Sequence, residues 1–450
     1  MRHHTKFKMR LILGLLLVTG FSLAVNADLA QANGDFPLRP VLEDYLEWAT
    51  IHSPDLQSAG HRVKAMRQDA AVAGSLPGLK FVWSEMIVPV ETRVGPQQRV
   101  FSISQSIPWF GTLGLKEQAT LSGADAAAAR LQGRILTRHR DIREAWYQLA
   151  LVQKEEEILT EHLRLAQQAE LSVRTSYESG QASYGNMIKA QMELGRLQTQ
   201  LDNLQDRSLP LTTKLNNLAG VGHLASVPQA DLTPPFIEAA ALADRNTLER
   251  MLVERNPGLK AEQDLLASAH SQRDLASKEG GPDLTVGLDY IMTGDAINPE
   301  TPDSGQDPII ARLGVNIPIW GGQTSARKAA SAELVLAADL RLSNLQLELE
   351  TRLEEILYRI RVADRNTTLY GDTLYRRAQQ DLQVTTAAYQ SGQMEFEDLL
   401  AASQNLLGVE LALVQAQFEH SRAMNDLVTL LGGETVSASL ISQSKLKEEE

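Results

Sequence analysis

The chain has 450 residues, a formal net charge of −13, 43% hydrophobic and 22% charged residues, only 5% aromatics and no cysteine. The acidic balance excludes a nucleic-acid binder, which needs a basic surface, and the lack of cysteine excludes disulfides and lipidation on a cysteine. Few aromatics among abundant Ala, Leu, Gln and Glu favour long helices with thin apolar seams over a thick globular core.

The first 27 residues read as a signal peptide: a basic stretch from Arg2 to Arg10, an apolar run from Leu11 to Val25, and Val25-Asn26-Ala27 as a small-residue cleavage site. No later window holds about 18 uninterrupted apolar residues, so any membrane would be entered by strands. Residues 28–220 form a first repeat. A helix is expected over about Val41 to Gly74, then strands around Phe81 and Trp83 and over Phe101, Ile103 and Ile107, which alternate with Ser102, Ser104 and Ser106. The polar stretch "PVETRVGPQQ" between them reads as a connector. A proline-free run from Gly111 to Ser179 follows, then "YESGQ" and a returning helix.

A Pro-rich linker at 221–240 leads into a second repeat, 241–433, in the same order, and a charged tail at 434–450 reads as disordered. "SPDLQ" at Ser53 answers "NPGLK" at Asn256, "SISQSIPWFG" at Ser102 answers "LGVNIPIWGG" at Leu313, and "YESGQ" at Tyr177 answers "YQSGQ" at Tyr389. The offset drifts from 203 to 212, as small loop insertions would produce. Second-repeat strands are expected where Leu284, Val286, Leu288 and Tyr290 alternate with Thr285, Gly287 and Asp289. The other lies where Ala311, Leu313, Val315 and Ile317 alternate with Arg312, Gly314 and Asn316.

Each strand reads as about nine or ten residues, enough to cross a bilayer at a tilt as part of a barrel, although a soluble half-buried sheet gives the same alternation. Trp109 and Trp320 follow strand ends, where an interfacial aromatic belt is expected. Each proline-free run makes a rod of roughly 100 Å. Gly180 and Gly392 supply the left-handed backbone that ends it, so Ser179-Gly180-Gln181 and Ser391-Gly392-Gln393 form two tips at one end, where a partner would dock. Four membrane strands cannot close a barrel, and an open edge in lipid costs several kcal/mol per unpaired backbone group. Two copies give eight strands and a filled interior; three give twelve and room for an aqueous lumen.

The signal peptide, the duplicated strand pairs, "SQSIPWFGTLGLKEQA", "YESGQASYGNMIKAQ" and "YQSGQMEFEDLLAASQNLL" together resemble the TolC-like outer membrane efflux proteins, over essentially all of the mature chain. The resemblance implies a mainly α fold with a membrane β-barrel: a trimeric twelve-stranded barrel continued by a long periplasmic α-helical barrel, with four strands and an internal duplication per protomer. It implies a passive channel in the outer membrane of a Gram-negative bacterium, working with a periplasmic adaptor and a proton-driven inner-membrane transporter. It also implies an acidic ring narrowing the entrance just past the second tip, at Asp398 with Glu395 and Glu397 beside it; Ala401 stands where relatives often have a second acid. "ETRVGPQQRVFSISQSIPWFGTLGLKEQ" looks most like the heavy-metal efflux branch. Type I protein secretion through the same architecture and a soluble periplasmic coiled-coil scaffold are the alternatives. No nucleophile motif, acid/base pair or metal-ligand spacing is present, so neither enzyme activity nor a cofactor is expected.

Overall fold

A computed structural model describes residues 36–433 apart from 38, 222–226, 238–241, 243 and 299; the expected signal peptide and tail, and part of the linker, lie outside these residues. The chain opens with α1 (Leu42–His52) and α2 (Pro54–Gly74), and the second repeat has α5 (Arg245–Arg255) and α6 (Pro257–Lys278) in the same place. Each pair was expected as one helix. The repeated Ser-Pro and Asn-Pro steps break them, because a residue before proline is pushed out of the helical region; Ser53 and Asn256 are both extended, with ψ 118°. Proline then sits in the first turn, where its missing N–H costs nothing. Asn256 caps α6 by accepting from Gly258 N and Leu259 N at 2.9 and 3.1 Å, and donates to Leu430 O at 2.8 Å.

Strands β1 (Lys80–Thr92), β2 (Gly95–Ile107), β3 (Asp283–Thr293) and β4 (Ile309–Asn316) form one antiparallel sheet in chain order. They run 13, 13, 11 and 8 residues, so three are longer and one shorter than expected. The stretch expected as a connector is largely strand: β1 runs on to Thr92 and turns tightly into Gly95, past a register shift between Glu85 and Val90. The period-two signal is lost there because the bulge interrupts alternation. The β3–β4 connection is long, as expected, and folds back on the β1–β2 turn: Gly294 N donates to Pro96 O at 2.8 Å and Gly305 N to Val94 O at 2.7 Å.

In the first repeat α3 (Thr112–Glu178) is an unbroken 67-residue helix, about 100 Å long, and α4 (Tyr184–Ala219) returns from the tip. In the second, α7 (Gly321–Thr368) passes through a π-helical turn (Leu369–Leu374) into α8 (Tyr375–Gln390), and α9 (Phe396–Leu430) returns. The π turn explains the last step of the drifting offset. Buried Ile142, Leu149 and Val152 answer Leu353, Ile360 and Ala363 at a spacing of 211, whereas Gly180 answers Gly392 at 212. One extra residue therefore enters between 363 and 392. A π turn absorbs a single inserted residue without ending a helix, so this insertion lies inside the rod and not in a loop.

The helices pack as a single curved layer in two storeys. Next to the sheet the order is α2, α3, α6, α7; towards the tips it is α4, α3, α9, then the π turn and α8. Two buried clusters sit where the storeys meet. One gathers Tyr45, Ile142, Trp146, Tyr147 and Leu215, and the other Leu248, Leu252, Leu353, Ile356 and Leu427. They occupy matching positions in the two repeats, and fix where the short helices end and the long ones continue.

Candidate functional site

The sheet has two chemically distinct faces. Its register aligns Phe81, Ile103, Leu288 and Ala311 in one row and Trp83, Phe101, Tyr290 and Ile309 in the next, all on one face, with Leu284, Val286, Leu313 and Val315 beyond. Phe101 lies 6.4 Å from both Phe81 and Tyr290, ring to ring. This apolar face is uncovered: Phe81 is 65% and Leu313 71% exposed. The opposite face carries Lys80, Ser102, Ser104, Ser106, Gly287, Asp289, Arg312, Gly314 and Asn316, interrupted by Val82, Val100 and Ile310. Arg312 and Asp289 form an ion pair across β3 and β4. Among the described residues no helix packs broadly on either face, so the apolar face lacks the cover that a soluble half-buried sheet gives it.

The two aromatics expected at an interface part company. Trp320 is 78% exposed. Trp109 is half-buried and lies flat over Gly281, where an added Cβ would meet its ring at 2.4 Å. Its neighbour Phe110 is exposed and takes the outward position. Adjacent aromatics in one sequence step give no signal for which of them turns inward.

Both tips have the same geometry. Gly180 and Gly392 have φ of 78° and 73°. Gln181 N donates to Ser176 O at 2.7 Å, and Gln393 N to Ala388 O at 2.8 Å, the long-range bond of a Schellman motif. Ser179 and Ser391 hydroxyls donate back to Ser176 O and Ala388 O, each at 3.0 Å. All six tip residues are exposed.

The three acidic residues past the second tip have unlike surroundings. Asp398 reaches back to accept from Glu395 N at 3.0 Å, as the third residue of a capping box at the start of α9. Glu397 binds Lys189 Nζ of α4 at 2.5 Å, and that hydrogen bond and charge hold its carboxyl below the usual range. Phe396 between them is buried against Val173 and Ala190 of the first repeat.

Higher up α9, two further polar contacts tie it to the first repeat. Gln404 Nε2 donates to Glu193 at 2.9 Å, and Glu410 lies 2.6 Å from the Nε2 of buried His162. Burial alone would raise the Glu193 carboxyl, but hydrogen bonds from Arg196 and Gln404 bring it below its ordinary value. His162, Lys189, Glu193, Gln404 and Glu410 escaped the sequence reading. Their partners lie in the other repeat, so no local spacing marks them.

The sequence profile of the outer membrane efflux proteins matches residues 248–433, nearly the whole second repeat. The second repeat is an outer membrane efflux protein domain. Solved outer membrane channels share the fold of this chain across both repeats. VceC of Vibrio cholerae is 20% identical, with a TM-score of 0.72 over 87% of this chain and 96% of its own. CusC, whose structures describe conformational changes accompanying transmembrane channel formation, is 16% identical, with a TM-score of 0.72 over 89% and 94%. MtrE of Neisseria gonorrhoeae, solved in its open state, is 16% identical, with a TM-score of 0.72 over 88% and 89%. No curated protein matches this chain by sequence.

Proposed function

We propose that the protein is the outer membrane duct of a tripartite efflux system: a trimer whose twelve strands cross the outer membrane and whose helices form a tunnel through the periplasm. The observation that carries this reading is the pair of coincident free edges. The sheet ends at β1 and β4, and the helical layer ends at α2 and α4 on one side and α7–α8 on the other. Strand and helix edges of the first repeat lie on one flank, those of the second on the other, so one rotation between copies closes both layers together. In lipid the unpaired strand edges cost several kcal/mol per backbone group, and closure removes that cost.

The duct moves small solutes, metal cations or drugs, passively. A periplasmic adaptor docks at the tips and an inner-membrane transporter supplies the energy. Opening is a population shift that requires the adaptor to prefer separated tips. The contacts of Glu397 with Lys189 and of Gln404 with Glu193 bind α9 to the first repeat and favour the closed form. Outer-membrane fractionation followed by planar-bilayer recording tests the reading. A trimer with discrete conductance steps is expected; a monomer recovered in the detergent-free soluble fraction rules it out and favours the scaffold.

A further inference from the structure

The two free helical edges carry opposite charge. On α4 the residues packed on α3 are Ala190, Leu197, Leu201 and Leu215, and at 100° per residue Asp206 points the opposite way with Asp202 beside it. Both are exposed. On the other flank, Leu353, Ile356, Ile360 and Ala363 face inward from α7, and Ala378 and Thr385 from α8. Arg361, Arg365 and Arg376 lie on the outward side together with Tyr358; the carboxylates there are Asp372 in the π turn and Glu354, which pairs with Arg245 at 3.3 Å.

Arg361, Arg365 and Arg376 have no carboxylate within ion-pair distance among the described residues, and neither Asp202 nor Asp206 has a basic partner there. Arg207 faces Glu155 of α3 and stands aside. Heights also match. Within the protomer, contacts such as His162 with Glu410 pair residues equally far from their tip glycines. By that measure Asp206 and Arg365 both stand about 40 Å above the tips, with Asp202 lower and Arg376 lower still.

We propose that these edges form an electrostatic clasp between neighbouring copies, with Arg361, Arg365 and Arg376 of one copy against Asp202 and Asp206 of the next. This rests on the trimeric duct reading and adds the register of the helical seam. The contact is heterologous, one basic edge on one acidic edge, so it repeats around a ring and closes it. Single exposed ion pairs are weak, but like charges in juxtaposition reject wrong pairings, which sets the vertical register between rods about 100 Å long.

The test uses the full-length protein in detergent. Asp206→Arg and Arg365→Glu are made singly and together, helicity is checked by circular dichroism, and trimer dissociation is followed by native mass spectrometry. Each single reversal is expected to raise the dissociation constant about tenfold across three seams, with the double variant recovering most of the loss. Because the chain has no cysteine, the variant carrying Asp206→Cys and Arg365→Cys gives an independent measurement. Oxidation should produce covalent dimers and trimers, since the two positions lie on opposite edges of one copy. A wild-type trimer with neither effect overturns the clasp alone, whereas a wild-type monomer overturns the duct as well.

Discussion

A carboxylate at the third position of a helix serves the helix first, and Asp398 does so by accepting the Glu395 backbone N–H. The cap can be separated from the expected gate charge by substitution. Asp398→Asn keeps an oxygen for the cap and removes the charge, while Asp398→Ala removes both. If the charge constricts the entrance, both variants raise single-channel conductance and weaken cation block. If Asp398 only caps, conductance stays at the wild-type level in the Asn variant, and the Ala variant loses about 1 kcal/mol of local stability, read by hydrogen exchange at the start of α9. Glu397→Gln should separate the tips more readily, seen as longer open times, because it loses the charge facing Lys189. A titrating residue lies elsewhere. Burial and the nearby Arg143 charge push His139 down to about 4 from 6.5, and its Nε2 lies 2.7 Å from Thr50 Oγ1. A depressed histidine stabilises the fold fully above about 6.5, and that stability is lost as pH falls towards about 4. Thermal melts across this window should therefore decline, by on the order of 2 kcal/mol from this residue, and His139→Gln should flatten the slope.

At the scale of elements, the rods, the tip turns and the duplication were legible because each rests on a local rule: a long proline-free run, a glycine at a helix end, an ordered set of repeated motifs. The failures share a different cause. The motifs at Ser53-Pro54 and Asn256-Pro257 match each other, but the apolar spacing continues on both sides and hides the breaks there. The π turn left no mark beyond one unit of offset, which only the buried positions locate between residues 363 and 392. The insertion account makes a distinguishing prediction. Deleting Asp372 should convert the π turn to ordinary helix with little change in helicity or melting temperature. Deleting one residue from the matching stretch of α3 should rotate everything below it by about 100° and lower the melting temperature by several degrees.

For the whole molecule, the uncovered face of the sheet is the largest energetic statement in the fold, since side chains such as Phe81 and Leu313 cannot remain in water without drawing copies together. Placed in lipid the same face is satisfied. Leu313→Arg should then cost about 2–4 kcal/mol, seen as reduced heat-resistance of the trimer, because it buries a charge in hydrocarbon. Ser104→Arg, on the polar face, should leave assembly intact and alter ion selectivity instead. Equal sensitivity of the two positions would mean that the sheet has no lipid side.

The extra residue of the second hairpin has a consequence for anything that meets the tips. The two hairpin ends of each copy, six in the proposed trimer, are equivalent at first glance, with matching glycines, serines and glutamines. They are not interchangeable: α4 descends beside an unbroken rod, while α9 descends beside one that has been turned through part of a revolution at the π segment. If the trimer forms as proposed, its crown alternates between two kinds of groove, and a partner that meets every tip has to use two modes of attachment.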